Sequence, residues 1–204
     1  MVEKSKQRGR PRAYDPATAL DSAAEIFWAN GFSDASLDDL SAAMGMGRPS
    51  IYNAFGDKQA LFLRVLERFR ETTGSTPLRA FAAEDSIDAA LDAFFRQTVE
   101  YTTGDSSHLG CLLGNVASAT ELPEARTFVK ANLALVEVEI ADRLAAAVQC
   151  GELPSDYSAA LGARRAVNAM LALGARARVG TPREDLLDDA AEATSMVLAT
   201  PAAA

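Results

Sequence analysis

The chain has 204 residues, 49% of them hydrophobic, enough for one large or two small domains with a substantial core. Its net charge is −8, yet residues 1–12 carry Lys4, Lys6, Arg8, Arg10 and Arg12 against Glu3, so an arm of +4 precedes a body of −12. That division suits a molecule whose bulk is repelled by nucleic acid while one edge is drawn to it. The first thirty residues hold no apolar signal-peptide core, and no run approaches the ~18 apolar residues of a membrane span. Cys111 and Cys150 stand too far apart in sequence to suggest a disulfide framework, so a cytoplasmic protein is expected, without contact to a membrane.

Residues 1–13 read as a basic arm too polar to fold alone. Its RGRPR core, Arg8 to Arg12, is similar to hooks that lie in narrow A·T minor grooves; a solubilising tail with general phosphate affinity is the alternative. Either reading makes Arg10 and Arg12 candidate DNA contacts. Asp15 followed by Pro16 predicts a helix with a first-turn proline, reaching Asn30 and stopping at Gly31. Leu20, Ala23 and Phe27 form its inner stripe. Trp28 and Phe32 are expected to close a small core against Leu40, Ile51 and Phe55.

The stretch from Ser36 to Lys58, SLDDLSAAMGMGRPSIYNAFGDK, predicts two short helices joined by a glycine turn. Ser36 and Asp39 form a capping box, and Leu37, Leu40 and Met44 recur on one face behind it. Gly45 and Gly47 end the first helix. The second runs from about Arg48 to Phe55, with Pro49 in its first turn. At about 100° per residue Ile51 and Phe55 share the buried face, which leaves Pro49, Ser50, Tyr52 and Asn53 outward with Arg48 on the flank. Hydroxyls, phenols, amides and guanidinium groups bond phosphates and base edges. Lys58 opposes the dipole of the next helix, a conflict that a docked phosphate would relieve.

Residues 14 to 66 resemble the DNA-binding domain of the tetracycline-repressor (TetR) family. The features are an alanine-rich helix ending in Asn30, Gly31 and Phe32, a capped second helix, and the segment GRPSIYNAFGDKQALF, without gap or insertion. The resemblance implies that Ser36, Arg48, Ser50, Tyr52, Asn53 and Lys58 lie at the DNA. Gly47 departs from the pattern, since the family often has Ser or Thr capping the recognition helix.

From Asp57 a longer helix with Leu61, Phe62, Val65, Leu66 and Phe69 inward ends before Gly74. Thr72 to Pro77, TTGSTP, reads as a turn cluster and marks the boundary between a head at 14–73 and a body at 74–204. Further helices are predicted from Asp85 or Ser86 to about Thr102, His108 to Thr120, Pro123 to Cys150, Pro154 or Ser155 to about Val179, and from a capping box at Thr181, Pro182 and Glu184 to about Thr200. The sum is an all-α chain of about nine helices, because no alternating strand pattern occurs.

Within the body, Phe94, Phe95, Tyr101, Leu112, Asn115, Phe128, Asn132 and Met170 supply aromatic surface with a few polar groups, the usual lining of a small-molecule cavity; ordinary core is the alternative for each aromatic. The segment LGCLLGNVASATE resembles a variant in one branch of the family, with Cys and Asn beside the ligand space. Cys111 is therefore included; it reads either as a small buried hydrophobe or as a thiolate favoured by a helix start with His108 nearby. Ala159, Gly162, Ala166 and Ala169 give one late helix a small-residue surface. With Leu186, Leu187 and Val197 on the last helix they are predicted to pair with a second copy, as the family resemblance implies.

A single histidine and the absence of GxxxxGK[ST], GxGxxG and nucleophile-elbow motifs argue against catalysis, and neither cofactor nor metal is expected. The resulting reading is a homodimeric repressor released from a palindromic double-stranded operator by a small-molecule inducer. An activator or a protein-controlled regulator of the same fold, or a small helical enzyme, are the alternatives.

Overall fold

Capping side chains decide where most of the helices begin. In the computed structural model, which describes residues 14–104 and 109–199, Asp15, Ser36, Asp57, Ser86 and Ser158 each accept a hydrogen bond from the backbone N–H three residues on, at 2.8–3.4 Å. They open α1 (Pro16–Asp34), α2 (Leu37–Met44), α4 (Lys58–Glu71), α6 (Ile87–Thr103) and α8 (Ala159–Arg178). The remaining helices are α3 (Arg48–Phe55), α5 (Thr76–Ala83), α7 (Pro123–Cys150) and α9 (Arg183–Leu198). The described residues contain no strand. Among the described residues no helix is long and apolar enough to cross a membrane.

α1 is broken at Gly31, whose φ of 76° only glycine adopts freely; the chain then turns through Phe32 into α2. The head core forms where α1 packs across α2 and α4. Phe27 meets Phe62 at 4.7 Å between ring centroids, Phe32 meets Phe62 at 5.1 Å, and Phe69 stands edge-on to Trp28 at 5.3 Å. Arg68 of α4 clasps Asp21 of α1 through two bonds of 2.6 and 2.7 Å. In the body, α6 lies against α5, α8 and α9, and α7 against α8.

Four elements differ from the sequence expectation. The turn cluster Thr72–Pro77 is a 3₁₀ turn, Thr73–Ser75, that leads directly into α5 with Pro77 in its first turn. The segment expected as a helix from His108 to Thr120 is a single π-helical turn, Leu112–Ala117, and His108 lies outside the described residues. There the Asn115 side chain accepts the Cys111 N–H at 2.6 Å, and Gly110 at φ 87° swings the chain into the turn. Helix α8 starts at its Ser158 cap, leaving Pro154 and Ser155 in the preceding loop. Pro182 is the N-cap of α9 and not its first residue, and no side chain caps it.

The two cores also divide differently from the linear order. Leu112, Leu113, Val116 and Ala117 of the π turn, together with Leu122, Ala125 and Val129, pack into the hydrophobic core of the head. The second core holds the rest of the body, with Phe81, Phe94, Phe95, Ile140 and Leu144 at its centre.

Candidate nucleic-acid interface and ligand cavity

Helix α3 is pinned by one fully buried side chain, Ile51, and by Phe55, half-buried and packed on Tyr14 at 6.2 Å. Those anchors turn Arg48, Pro49, Ser50, Tyr52 and Asn53 to solvent, with 48% of Tyr52 exposed. Gly47 supplies no side-chain cap. A large aromatic left in water beside hydroxyl and amide groups, on a helix whose other face is fixed, is a surface shaped to meet something polar.

The cations around α3 are held by the protein's own groups. Arg48 Nε donates to Asp38 on α2 at 2.9 Å, and that ion pair raises its pKa. Lys58 donates to the Ser33 carbonyl at 3.1 Å and lies 4.8 Å above the Phe32 ring. Partial burial lowers its pKa, opposed by the nearby Asp34. The dipole conflict expected of Lys58 is thus relieved inside the molecule, at the end of α1. Ser36 has its hydroxyl committed to the cap, donating to Asp39 Oδ2 at 2.6 Å and accepting from Asp39 N. Arg10 and Arg12 lie outside the described residues.

A cavity of about 30 Å³ sits between the two cores, where α4, α6, α7, α8 and the π turn converge. Of the residues proposed from sequence, Tyr101, Cys111, Asn115, Asn132 and Met170 line it. Phe94, Phe95, Leu112 and Phe128 do not. Phe94 and Phe95 are fully buried against Phe81 and each other, and Leu112 is spent in the head core. Phe128 packs beside that core with the Arg70 guanidinium 5.2 Å from its ring. Sequence reasoning missed the remaining walls, which are apolar side chains and glycines, Phe69, Leu113 and Gly174 among them. Phe69 reads as head core because it is: its other edge touches Trp28.

Cys111 is half-buried in the wall, and the loss of water around its sulfur pushes its thiol pKa up. Hydrogen bonds from the Tyr101 hydroxyl and from the Gly114 N–H, at 3.3 Å, oppose that shift without overcoming it. Burial likewise holds Tyr101 well above the ordinary phenol value. Cys111 in this state is therefore a neutral thiol in an apolar wall, the first of the two readings open to it. Among the described residues no cluster of His, Cys, Asp and Glu could hold a metal ion.

The small-residue surface of α8 has an internal explanation. A Cβ on Gly162 would stand 2.1 Å from the Tyr157 hydroxyl, which donates to the Val197 carbonyl at 2.7 Å. Gly162, Ala166, Leu186 and Val197 are buried within the chain and cannot also meet a second copy, a correction to that part of the expected interface. Ala159, Ala169 and Leu187 remain partly exposed, and Ala172 and Met196, the latter 59% exposed, join Ala169 on one outer groove of α8 and α9.

Residues 19–65 match the family model of bacterial regulatory proteins of the tetR family. The solved structure of the TetR family transcriptional regulator CifR, a cysteine mutant complexed with a 26-base-pair double-strand operator DNA, superposes with a TM-score of 0.84. It is 30% identical, covering 91% of this chain and 98% of that one. The chain belongs to the TetR family of transcriptional regulators. Among curated relatives, the HTH-type transcriptional repressor BdcR of Escherichia coli (strain K12) is 28% identical over 95% of both chains. The repressor ComR of the same organism is 34% identical over 54% of this chain, and that match spans about half of ComR's length, 53%. The segment matched in this TetR-family chain runs from within α1 to within α4 and contains the α2–α3 pair, a helix-turn-helix.

Proposed function

We propose that this TetR-family chain is a homodimeric cytoplasmic repressor that grips a palindromic operator through α3 and is released when a small molecule enters the cavity behind Phe69. Two α3 helices about 34–36 Å apart would enter successive major grooves of B-form DNA. Tyr52, Ser50 and Arg48 meet phosphates, Asn53 and Pro49 reach base edges, and Lys58, with two ammonium protons beyond the one given to Ser33, bonds the flanking backbone beside the Ser36 cap, with Arg10 and Arg12 extending the footprint. The two copies would meet along the outer groove of α8 and α9 at Ala169, Ala172, Leu187 and Met196.

The observation that carries the reading is that one side chain, Phe69, faces both partners. It lines the cavity on one side and meets Trp28 of α1 edge-on on the other. At about 30 Å³ the cavity accommodates one or two waters, so any organic occupant must part its walls. Moving Phe69 moves α4 and the head it carries, and operator and inducer affinities become reciprocally linked.

Selection of bound fragments from a random duplex library, followed by gel shifts at graded salt, tests this. A palindromic consensus with affinity that falls steeply with salt is expected. Indifference to duplex DNA at low ionic strength would defeat the reading, and a monomeric mass by light scattering would defeat its dimer.

A further inference from the structure

Every described residue lining the cavity is uncharged at neutral pH. Its polar groups are the Tyr101 hydroxyl, the Cys111 thiol and the amides of Asn115 and Asn132. The cations in its neighbourhood are turned elsewhere. Arg70 lies over Phe128, Arg126 donates to the Thr120 carbonyl at 2.7 Å, and Arg178 donates to the carbonyls of Trp28 and Leu109 at 3.3 and 3.2 Å. We propose that this cavity takes a compact, uncharged, largely apolar molecule bearing an oxygen acceptor, such as an alcohol, ketone or amide, and rejects carboxylates, phosphates and ammonium ions. The inference rests on the ligand-controlled reading above and specifies its ligand class.

Three observations converge on it. A charge moved from water into these walls would lose its hydration and find no counter-ion, a penalty that neutral molecules escape. The walls disfavour charge: burial raises the pKa of both Tyr101 and Cys111 above their ordinary values. Hydrogen-bonding capacity is left over in a defined sense. The Asn115 carbonyl oxygen is occupied by the Cys111 N–H, which leaves its NH₂ as a donor. The Asn132 amide has no hydrogen-bond partner among the described residues, and it faces the same space from α7. Two amide donors over an apolar floor recognise a neutral oxygen, and the closely spaced walls limit the molecule's bulk.

The test uses four probes of one shape and three charge states: benzyl alcohol, benzamide, benzoate and benzylammonium. The full chain is titrated with each at millimolar concentration and followed by melting temperature and calorimetry. The two neutral probes should raise the melting temperature in a concentration-dependent way, with affinities about tenfold or more above those of the charged pair. Asn132→Leu should weaken benzamide while leaving the fold intact. Asn132→Asp should convert benzylammonium into a binder, a gain that a merely structural role for Asn132 would not produce. Equal or tighter binding of benzoate or benzylammonium to the unsubstituted chain overturns the proposal, as does the failure of both neutral probes. Gel shifts separate this from the regulatory reading. If neutral probes bind without loosening the operator complex, the ligand class stands and inducer control falls. If only charged molecules release DNA, inducer control stands and the class falls.

Discussion

Helix α3 and the π turn Leu112–Ala117 are similarly short, yet they use their residues in opposite ways. α3 buries one side chain completely and offers most of the rest to solvent, whereas the π turn buries Leu112, Leu113, Val116 and Ala117 and turns Cys111 and Asn115 toward a cavity. The first is an anchored display and the second is a wedge between two cores. Substitutions on the outward face of α3 should therefore alter DNA binding without touching stability, and substitutions of the buried π-turn residues should do the reverse.

Leu112→Ala sharpens the contrast most. Removing a fully buried leucine should destabilise the chain by about 2–5 kcal/mol in urea unfolding, against less than about 0.5 kcal/mol for Ser50→Ala. A stability loss as large for Ser50→Ala would break the comparison. Gly110→Ala comes next. Its Cβ would lie 2.7 Å from Asn115 Oδ1 and 2.9 Å from Arg178 Cβ, at a φ of 87°, so a loss of about 1–3 kcal/mol and a weakened inducer response are expected. On the display side, Asn53→Ala should cost about 1–3 kcal/mol of discrimination at one operator position, while Tyr52→Ala weakens all sequences alike. Equal loss across a randomised operator library for Asn53→Ala would remove its base-reading role.

Asp38→Asn should act more weakly. Freeing Arg48 from its carboxylate partner is expected to tighten DNA binding a few-fold at low salt, with little change in melting temperature. The smallest effect concerns the cavity wall. Because burial raises the folded-state values of Cys111 and Tyr101, the unfolded chain ionises first. Their contribution to stability is intact below the ordinary thiol value of 9.0 and is lost as pH rises above it through the folded values. A maleimide should accordingly label the exposed Cys150 well before Cys111. Comparable labelling rates near neutral pH would show that the wedge opens readily.

The head was open to sequence reading because its signals are local. Asp15, Ser36 and Asp57 cap within three residues, Gly31 and Gly45 take positive φ where a stop was expected, and the spacing of Ile51 and Phe55 alone orients α3. The body resisted where distant partners decide. The Thr72–Pro77 cluster carries turn chemistry, yet proline and hydroxyl residues also start helices, and the packing of Phe81 into the second core selects α5. Phe94 and Phe95 share an aromatic character with Tyr101 but not its neighbours, so only the packing of α5 and α6 separates core from cavity.

Alone, the order of residues determined an all-helical chain, a capped helix-turn-helix and the outward set Arg48, Ser50, Tyr52 and Asn53, because caps, glycines and a helical period act over a few residues. Tertiary structure decided the rest. It turned Gly162, Ala166, Leu186 and Val197 inward against Tyr157 and its neighbours, wound Leu112–Ala117 into a π turn around the Asn115 amide, and gave Phe69 a cavity on one side and Trp28 on the other. Such outcomes depend on which surfaces meet across the fold, and a contact between residues far apart in the chain leaves no periodic trace in either stretch.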